Sequence, residues 1–224
     1  MRTTSSLPAV IELRQYTLHP GRRDELISLF EHEFIESQEA CGMQLLGQFL
    51  DLDDADRFVW LRGFAGMPQR AQALGDFYGG PVWQAHRNAA NATMIDSDNV
   101  LLLRPSVDVP LILHDGKPPG RLLATLCPLR GFADDGLREL VATQVLPELQ
   151  VQGARLLACL ETEPAPNTFP RLPVREGEPM LMWLVSVPEG QPAPKIDTAA
   201  LLDRWLRDLP QTLRLSATAR SVWR

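Results

Sequence analysis

The chain has three cysteines in 224 residues, at 41, 127 and 159, and no CxxC pair among them. That set builds neither a disulfide framework nor a thiolate metal site, so each thiol reads as a buried structural group in a reducing, cytoplasmic compartment. An excess of basic charge is also missing. With 22 Lys and Arg against 28 Asp and Glu, a formal net charge of -6 and no local basic cluster, the chain has no electrostatic footprint for nucleic acid. No apolar run reaches the roughly 18 to 20 residues that cross a bilayer, so no membrane span is expected. The opening MRTTSSLPAV lacks the basic start and apolar core of a secretory signal and reads as a frayed N-terminus. Nucleotide cradles of the GxGxxG or GxxxxGKS/T type are absent, as is the GxSxG nucleophile elbow. No HxH, HExxH or carboxylate-rich cluster is present either, so no metal site is expected.

What the chain does have is a near repeat of itself. The segment 42-GMQLLGQFLDL-52 is echoed by 153-GARLLACLETE-163, and 58-FVWLRGF-64 by 181-LMWLVSV-187. At a shift of 111, Leu18 falls on Leu129, Leu26 on Leu137 and Gly42 on Gly153; at a shift of 123, Trp60 falls on Trp183. The change of shift is accounted for by a Pro-rich insertion, 163-EPAPNTFPRLPVREGEP-179, expected to be a projecting or wrapping loop. Each half reads as strand, helix, strand, strand, helix, strand. In the first, strands are expected at 10–18, 43–51, 57–65 and 100–104, with a helix after Pro20-Gly21 and another from Pro68, broken at 79-GGP-81 and resumed over 82–92. In the second, strands are expected at 121–129, 155–162, 180–187 and 213–221, with helices at 134–152 and 198–209. The expected fold is α+β: two tandem ferredoxin-like βαββαβ units, residues 1–105 and 120–224, joined by a Pro-rich linker over 106–119 and packed sheet to sheet as an intrachain αβ-barrel pseudo-dimer.

Laid out in this way, 10-VIELRQYTLHPGRRDELISLF-30 resembles the opening of the NIPSNAP family: a Glu-Leu-Arg-x-Tyr-x-Leu strand, a Pro-Gly turn and an acidic, leucine-bearing helix. The FVWLRGF strand, the Arg-containing helix after it and the Trp83 to Met94 stretch leading into 100-VLLLRP-105 extend the likeness. It covers about residues 10–105, and the second half only through the internal repeat. The resemblance implies the dimeric αβ-barrel version of the ferredoxin-like fold, supplied here by one chain. It implies no agreed activity, because relatives of this architecture include haem-dependent dehydratases and degraders, cofactor-free monooxygenases and proteins with no known reaction. Animal members are associated with mitochondria and vesicle handling. The N-terminus lacks the Arg-rich amphipathic character of a transit peptide, so a cytoplasmic location remains the expectation.

Arg14 and Tyr16 on the first strand and Trp60 and Arg62 on the third occupy alternate positions, expected on the face away from the helices, looking into the space between the halves. Trp183 is the repeat equivalent of Trp60. Two readings stay open: Arg14 closes an internal ion pair with Glu12, or Arg14 and Arg62 receive an anionic or carbonyl group of a small ligand walled by Tyr16, Trp60 and Trp183. His86, one turn after Trp83, is open as a general base, a haem ligand or a plain packing histidine, whereas His19, His32 and His114 are expected at the surface. Function is then expected to be binding of a small, partly apolar molecule between the two units, with any reaction cofactor-free or haem-assisted and homo-oligomerisation open. The rival is a non-enzymatic structural or protein-interaction module whose barrel is filled by Phe58, Trp60, Met180 and Trp183.

Overall fold

Period-two apolar alternation along the strands decides where the core lies. In this computed structural model, which describes residues 5–107, 110–111 and 120–224, the first half runs β1 (Val10–Leu18), α1 (23–40), β2 (Gln44–Asp51), β3 (Arg57–Phe64), α2 (Met67–Gly79), α3 (Pro81–Asn91) and β4 (Met94–Pro105). The second runs β5 (Arg121–Pro128), α4 (135–151), β6 (Arg155–Thr162), β7 (Met180–Val187), α5 (Thr198–Leu202) and β8 (Gln211–Ala217). A two-residue bridge joins Ser5–Ser6 to Pro110–Leu111. Most of the expected 106–119 linker, with His114, lies outside the described residues.

Strand order is β2-β3-β1-β4 in the first half and β6-β7-β5-β8 in the second. The halves join at both edges, β4 to β6 and β8 to β2, closing an eight-stranded antiparallel barrel. Closure removes the unpaired edge N–H and C=O groups that each open sheet would expose. Local irregularities recur at the repeat spacing. A π-helical stretch interrupts α1 at Phe30–Phe34 and α4 at Val141–Val145. Gly42 and Gly153 follow these helices at φ +88° and +86°, a left-handed conformation that glycine adopts without steric cost. The β2 ladder slips between Leu45 and Gly47, and the β6 ladder between Leu156 and Ala158. The central ladders also correspond: β1 and β3 pair Glu12 with Arg62 and Arg14 with Trp60, and β5 and β7 pair Leu123 with Val185 and Thr125 with Trp183.

The barrel interior is a continuous apolar cluster drawn from both halves, including Ile11, Leu13, Phe49, Leu61, Met182 and Leu215. An eight-stranded barrel encloses a space that side chains of this size fill. Each large side chain so buried contributes roughly 1.5–3 kcal/mol. Trp223, beyond the last strand, turns back into the cluster and donates its backbone N–H to Leu46 O at 3.0 Å. Outside the barrel wall, each half has its own second core between sheet and helices.

Alternation correctly separates Ile11 and Leu13 from Glu12, Arg14 and Tyr16, but the side assigned to the charged set is reversed. Ile11 and Leu13 point into the barrel, whereas Tyr16 and Trp60 pack in the first half's helix-side core and Trp183 in the second's. Phe58 joins Trp60 there; of the four side chains expected to fill the centre, only Met180 does so. The dry interior has no acceptors for guanidinium groups, whereas the helix layer supplies them. Other boundaries shift too. The fourth strand, expected over 100–104, extends over Met94–Pro105. The helix expected over 198–209 stops at Leu202, because the following chain runs back along β5: Leu206 bridges Leu129 and Arg207 N donates to Pro128 O. The last strand ends at Ala217, where the chain turns to deliver Trp223. Residues 163–179 are irregular and wrap onto the first half, with Arg175 N donating to Val100 O and Phe169 stacking on Tyr78.

Because Trp223 is embedded in the barrel core from outside the strands, Trp223→Ala is expected to lower stability by about 3–5 kcal/mol through the cavity it leaves. The urea midpoint measures this. A loss below about 1 kcal/mol would show that the interior collapses around the gap.

Candidate functional site

Four charged side chains meet beneath the helices of the first half. Glu12 and Arg14 come from β1, Arg62 from β3 and Arg70 from α2, and all four are between 0% and 1% exposed. Arg70 shares its helical face with Ala73, Leu74 and Phe77, so the spacing that buries those apolar residues carries its guanidinium inward. Glu12 Oε2 accepts from Arg14 Nη1 and from Arg62 Nε, each at 2.8 Å, and Oε1 accepts from Arg70 Nε at 2.7 Å. Arg62 Nη2 also stands 2.8 Å from Oε2, but it lacks the alignment of a hydrogen bond.

The remaining donors take neutral partners. Arg14 Nε donates to the Tyr16 hydroxyl at 2.9 Å. Arg62 Nη1 donates to Gln38 Oε1 at 2.8 Å, and that amide is held by Nε2 donating to Phe34 O at the end of the π stretch. Arg70 Nη1 reaches across the molecule to Asn167 Oδ1 at 2.9 Å in the Pro-rich loop of the second half. Aromatic faces supply the rest: Arg14 lies over Tyr16 and Trp60, and Arg62 over Trp60, Phe64 and Tyr78. Even so, three guanidinia face one carboxylate, and the described residues leave Arg62 Nη2, Arg70 Nη2 and Trp60 Nε1 without a hydrogen-bond acceptor. Burial pushes the Glu12 carboxyl up, but Arg62, Arg14 and Arg70 outweigh it and hold the group well below the usual carboxylate range. Burial pulls the Arg70 guanidinium below its ordinary value despite Glu12.

Arg14, Tyr16, Trp60 and Arg62 thus come together as the sequence reading anticipated, on the opposite side of the sheet. Trp183 does not join them; it occupies the corresponding rung in the other half. His86 stands at the edge, 35% exposed, with Nε2 3.4 Å from Glu33 Oε2 and its ring against Phe34. That nitrogen faces a carboxylate at the surface instead of a slot, so the residues present do not fit a haem ligated by His86. His19 and His32 are exposed. Among the described residues no cluster of three or more His, Cys, Asp or Glu is placed to hold a metal ion, and no helix is long and apolar enough to cross a membrane. Sequence reasoning missed Arg70, although an arginine spaced with Ala73, Leu74 and Phe77 on one helical face was a usable signal. Gln38 and Asn167 carried no such signal, since only the tertiary fold brings them to the cluster.

Residues 11–110 match the NIPSNAP family model. The first half of the chain is therefore similar to the NIPSNAP family. Over its whole length the chain is similar in fold to a protein from Lactobacillus acidophilus NCFM that carries a monooxygenase name, at 13% identity and a TM-score of 0.58, with 93% of each chain covered. It is likewise similar to an anthrone oxidase-like protein at 15% identity and a TM-score of 0.60, covering 96% of this chain and 94% of that one. A NIPSNAP family protein from Agrobacterium tumefaciens aligns at 24% identity over 43% of this chain and 91% of its own, with a TM-score of 0.40. No curated protein matches the chain.

The geometry changes what removal of each charge does. Glu12→Gln leaves three buried guanidinia without a counter-ion and is expected to cost about 3–5 kcal/mol. Arg14→Met leaves Glu12 with two partners and is expected to cost only about 1–2 kcal/mol, through the Tyr16 hydroxyl that loses its donor. Urea midpoints at pH 7 order the two variants, and the reverse order would contradict the arrangement. Since the folded-state carboxyl lies below its ordinary value, its contribution is present above the unfolded glutamate pKa of about 4.3 and fades as the pH falls below it. Glu12→Gln should flatten that acid limb.

Proposed function

We propose that the chain is a fused pair of ferredoxin-like units, residues 1–105 and 120–224 joined through 106–119, and that the first unit binds a small, partly apolar anion within its helix layer. Support for the fusion is the recurrence of the π stretch, the left-handed glycine and the strand slip at one spacing. The single observation that carries the binding reading is the excess of buried positive charge: three guanidinia against one carboxylate, with N–H groups of Arg62, Arg70 and Trp60 unmatched. Buried donors in native structures are nearly always matched, and unmatched ones next to uncompensated charge favour an anionic partner. A planar carboxylate suits guanidinium geometry, and Tyr16, Trp60 and Tyr78 provide aromatic walls. Asn167 and Thr168 sit on Arg70 from the 163–179 loop, so entry would require that loop to lift. In this reading the ligand lies outside the barrel interior, which is packed with apolar side chains.

The proposal is one of binding. The cluster offers charge and aromatic surface, and His86 is engaged by Glu33, so no proton-transfer step is assigned. The alternative reading is a purely structural network in a filled barrel; what favours it is the near-zero exposure of all four charged side chains.

Thermal unfolding at pH 7 tests the reading, with benzoate as the anion and benzamide as its uncharged analogue. Benzoate at free concentration c is expected to raise the wild-type midpoint by stabilising the fold as RT ln(1 + c/Kd), about 2.7 kcal/mol at a hundredfold excess over Kd, and benzamide to leave it unchanged. Arg70→Met should abolish the shift while remaining folded. If benzoate, acetate and phosphate all leave the wild-type midpoint where it is, the network is structural.

A further inference from the structure

The rungs that carry charge in the first half carry small or apolar side chains in the second. Where β1 and β3 place Glu12 opposite Arg62 and Arg14 opposite Trp60, β5 and β7 place Leu123 opposite Val185 and Thr125 opposite Trp183. Tyr16 opposite Phe58 becomes Cys127 opposite Leu181. Exchanging two arginines and a tyrosine for threonine, valine and cysteine removes side-chain volume from the layer between sheet and helices. The cover is also thinner. After β3 the first half has α2 and α3, of 13 and 11 residues, whereas after β7 the second half has an irregular segment and the five-residue α5. The result is a cavity of about 330 Å³ over the second sheet, floored by Leu123, Thr125, Trp183 and Val185 and bordered by Leu149 and Ile196.

The geometry points to this cavity as a second binding site, one that takes a compact, uncharged, mostly apolar molecule bearing a single hydroxyl or carbonyl. Its volume lies at the lower end of small-molecule sites, about 300–1,000 Å³. The floor and walls give apolar contact. The polar features are few. The Thr125 and Thr212 hydroxyls stand 3.1 Å apart and either is able to donate, so the pair is suited to hold one neutral oxygen. At the rim, Arg214 and Asp53 are bound to each other, so neither an anion nor a cation meets an unpaired opposite charge there. Charge therefore selects against ionised ligands, the reverse of the three-arginine cluster, and this inference stands on different residues from the reading of the first half.

Calorimetric titration of the full chain with 2-naphthol at pH 7, where that probe is uncharged, tests the site against naphthalene-2-sulfonate, which has the same ring system and a fixed charge. 2-Naphthol is expected to bind at one site per chain and the sulfonate at least about tenfold more weakly, a difference of about 1.4 kcal/mol. Thr125→Val, which keeps the shape and removes the hydroxyl, should weaken 2-naphthol by about tenfold. Ala193→Trp, an exposed position at the cavity mouth, should abolish binding by filling the space, with circular dichroism confirming that the variant folds. Excess benzoate should not displace 2-naphthol, which separates this site from the arginine cluster. Absence of any saturable binding, equal or tighter binding of the sulfonate, or unchanged binding to Ala193→Trp would each overturn the inference.

Discussion

Glu12 is the carboxylate on which three buried guanidinia converge, and the first half of the molecule is arranged around that convergence. β1 and β3 bring Arg14 and Arg62 to it within the sheet, α2 brings Arg70 from above, and α1 contributes Gln38 as a neutral acceptor. Transferring such charges out of water costs several kcal/mol per ion, and the Coulombic gain repays this only when geometry and hydrogen bonding are favourable. Here hydrogen bonds and aromatic faces engage most of the cations while the charge count stays unbalanced. That imbalance distinguishes the cluster from an ordinary buried ion pair.

The Pro-rich loop ties the cluster to the other half. It belongs to the second half in sequence, yet Asn167 and Thr168 contact Arg70, Thr168 also donates to Met67 O, and Phe169 stacks on Tyr78. Its prolines remove ladder donors, so it cannot extend the sheet and lies across the neighbouring half instead. The halves are therefore coupled through the barrel seams, through the C-terminal segment that carries Trp223 to Leu46, and through this loop. Any opening above Arg70 involves residues from both.

The helix layers on the two sides of the barrel are chemically unlike. Corresponding rungs hold a charged cluster on one side of the barrel and an apolar, incompletely filled cavity on the other. The reason lies in what each position must do. Interior positions on the same strands have to fill a closed space and are mostly apolar in both halves. Positions facing the helices are constrained only by their own cover, which differs in length and composition between the halves.

Much of this was legible in the sequence. At the offsets read from the sequence, Gly42 and Gly153 take the same left-handed conformation, and Trp60 and Trp183 pair with Arg14 and Thr125 respectively. Alternation grouped Glu12, Arg14 and Tyr16 on one face, because side chains two apart on a strand must point the same way. Alternation does not say which face is inside, and the charged set was assigned to the wrong one. Only the closed barrel decides that, since its dry interior accepts Ile11 and Leu13 and offers guanidinium groups no acceptors. Tertiary structure alone also brought Gln38 and Asn167 to the arginines, ended α5 early so that Leu206 could bridge Leu129, and turned Trp223 into the barrel. Local spacing determined which side chains travel together on a strand or helix; long-range packing decided what they meet, because those contacts depend on how distant segments close on one another.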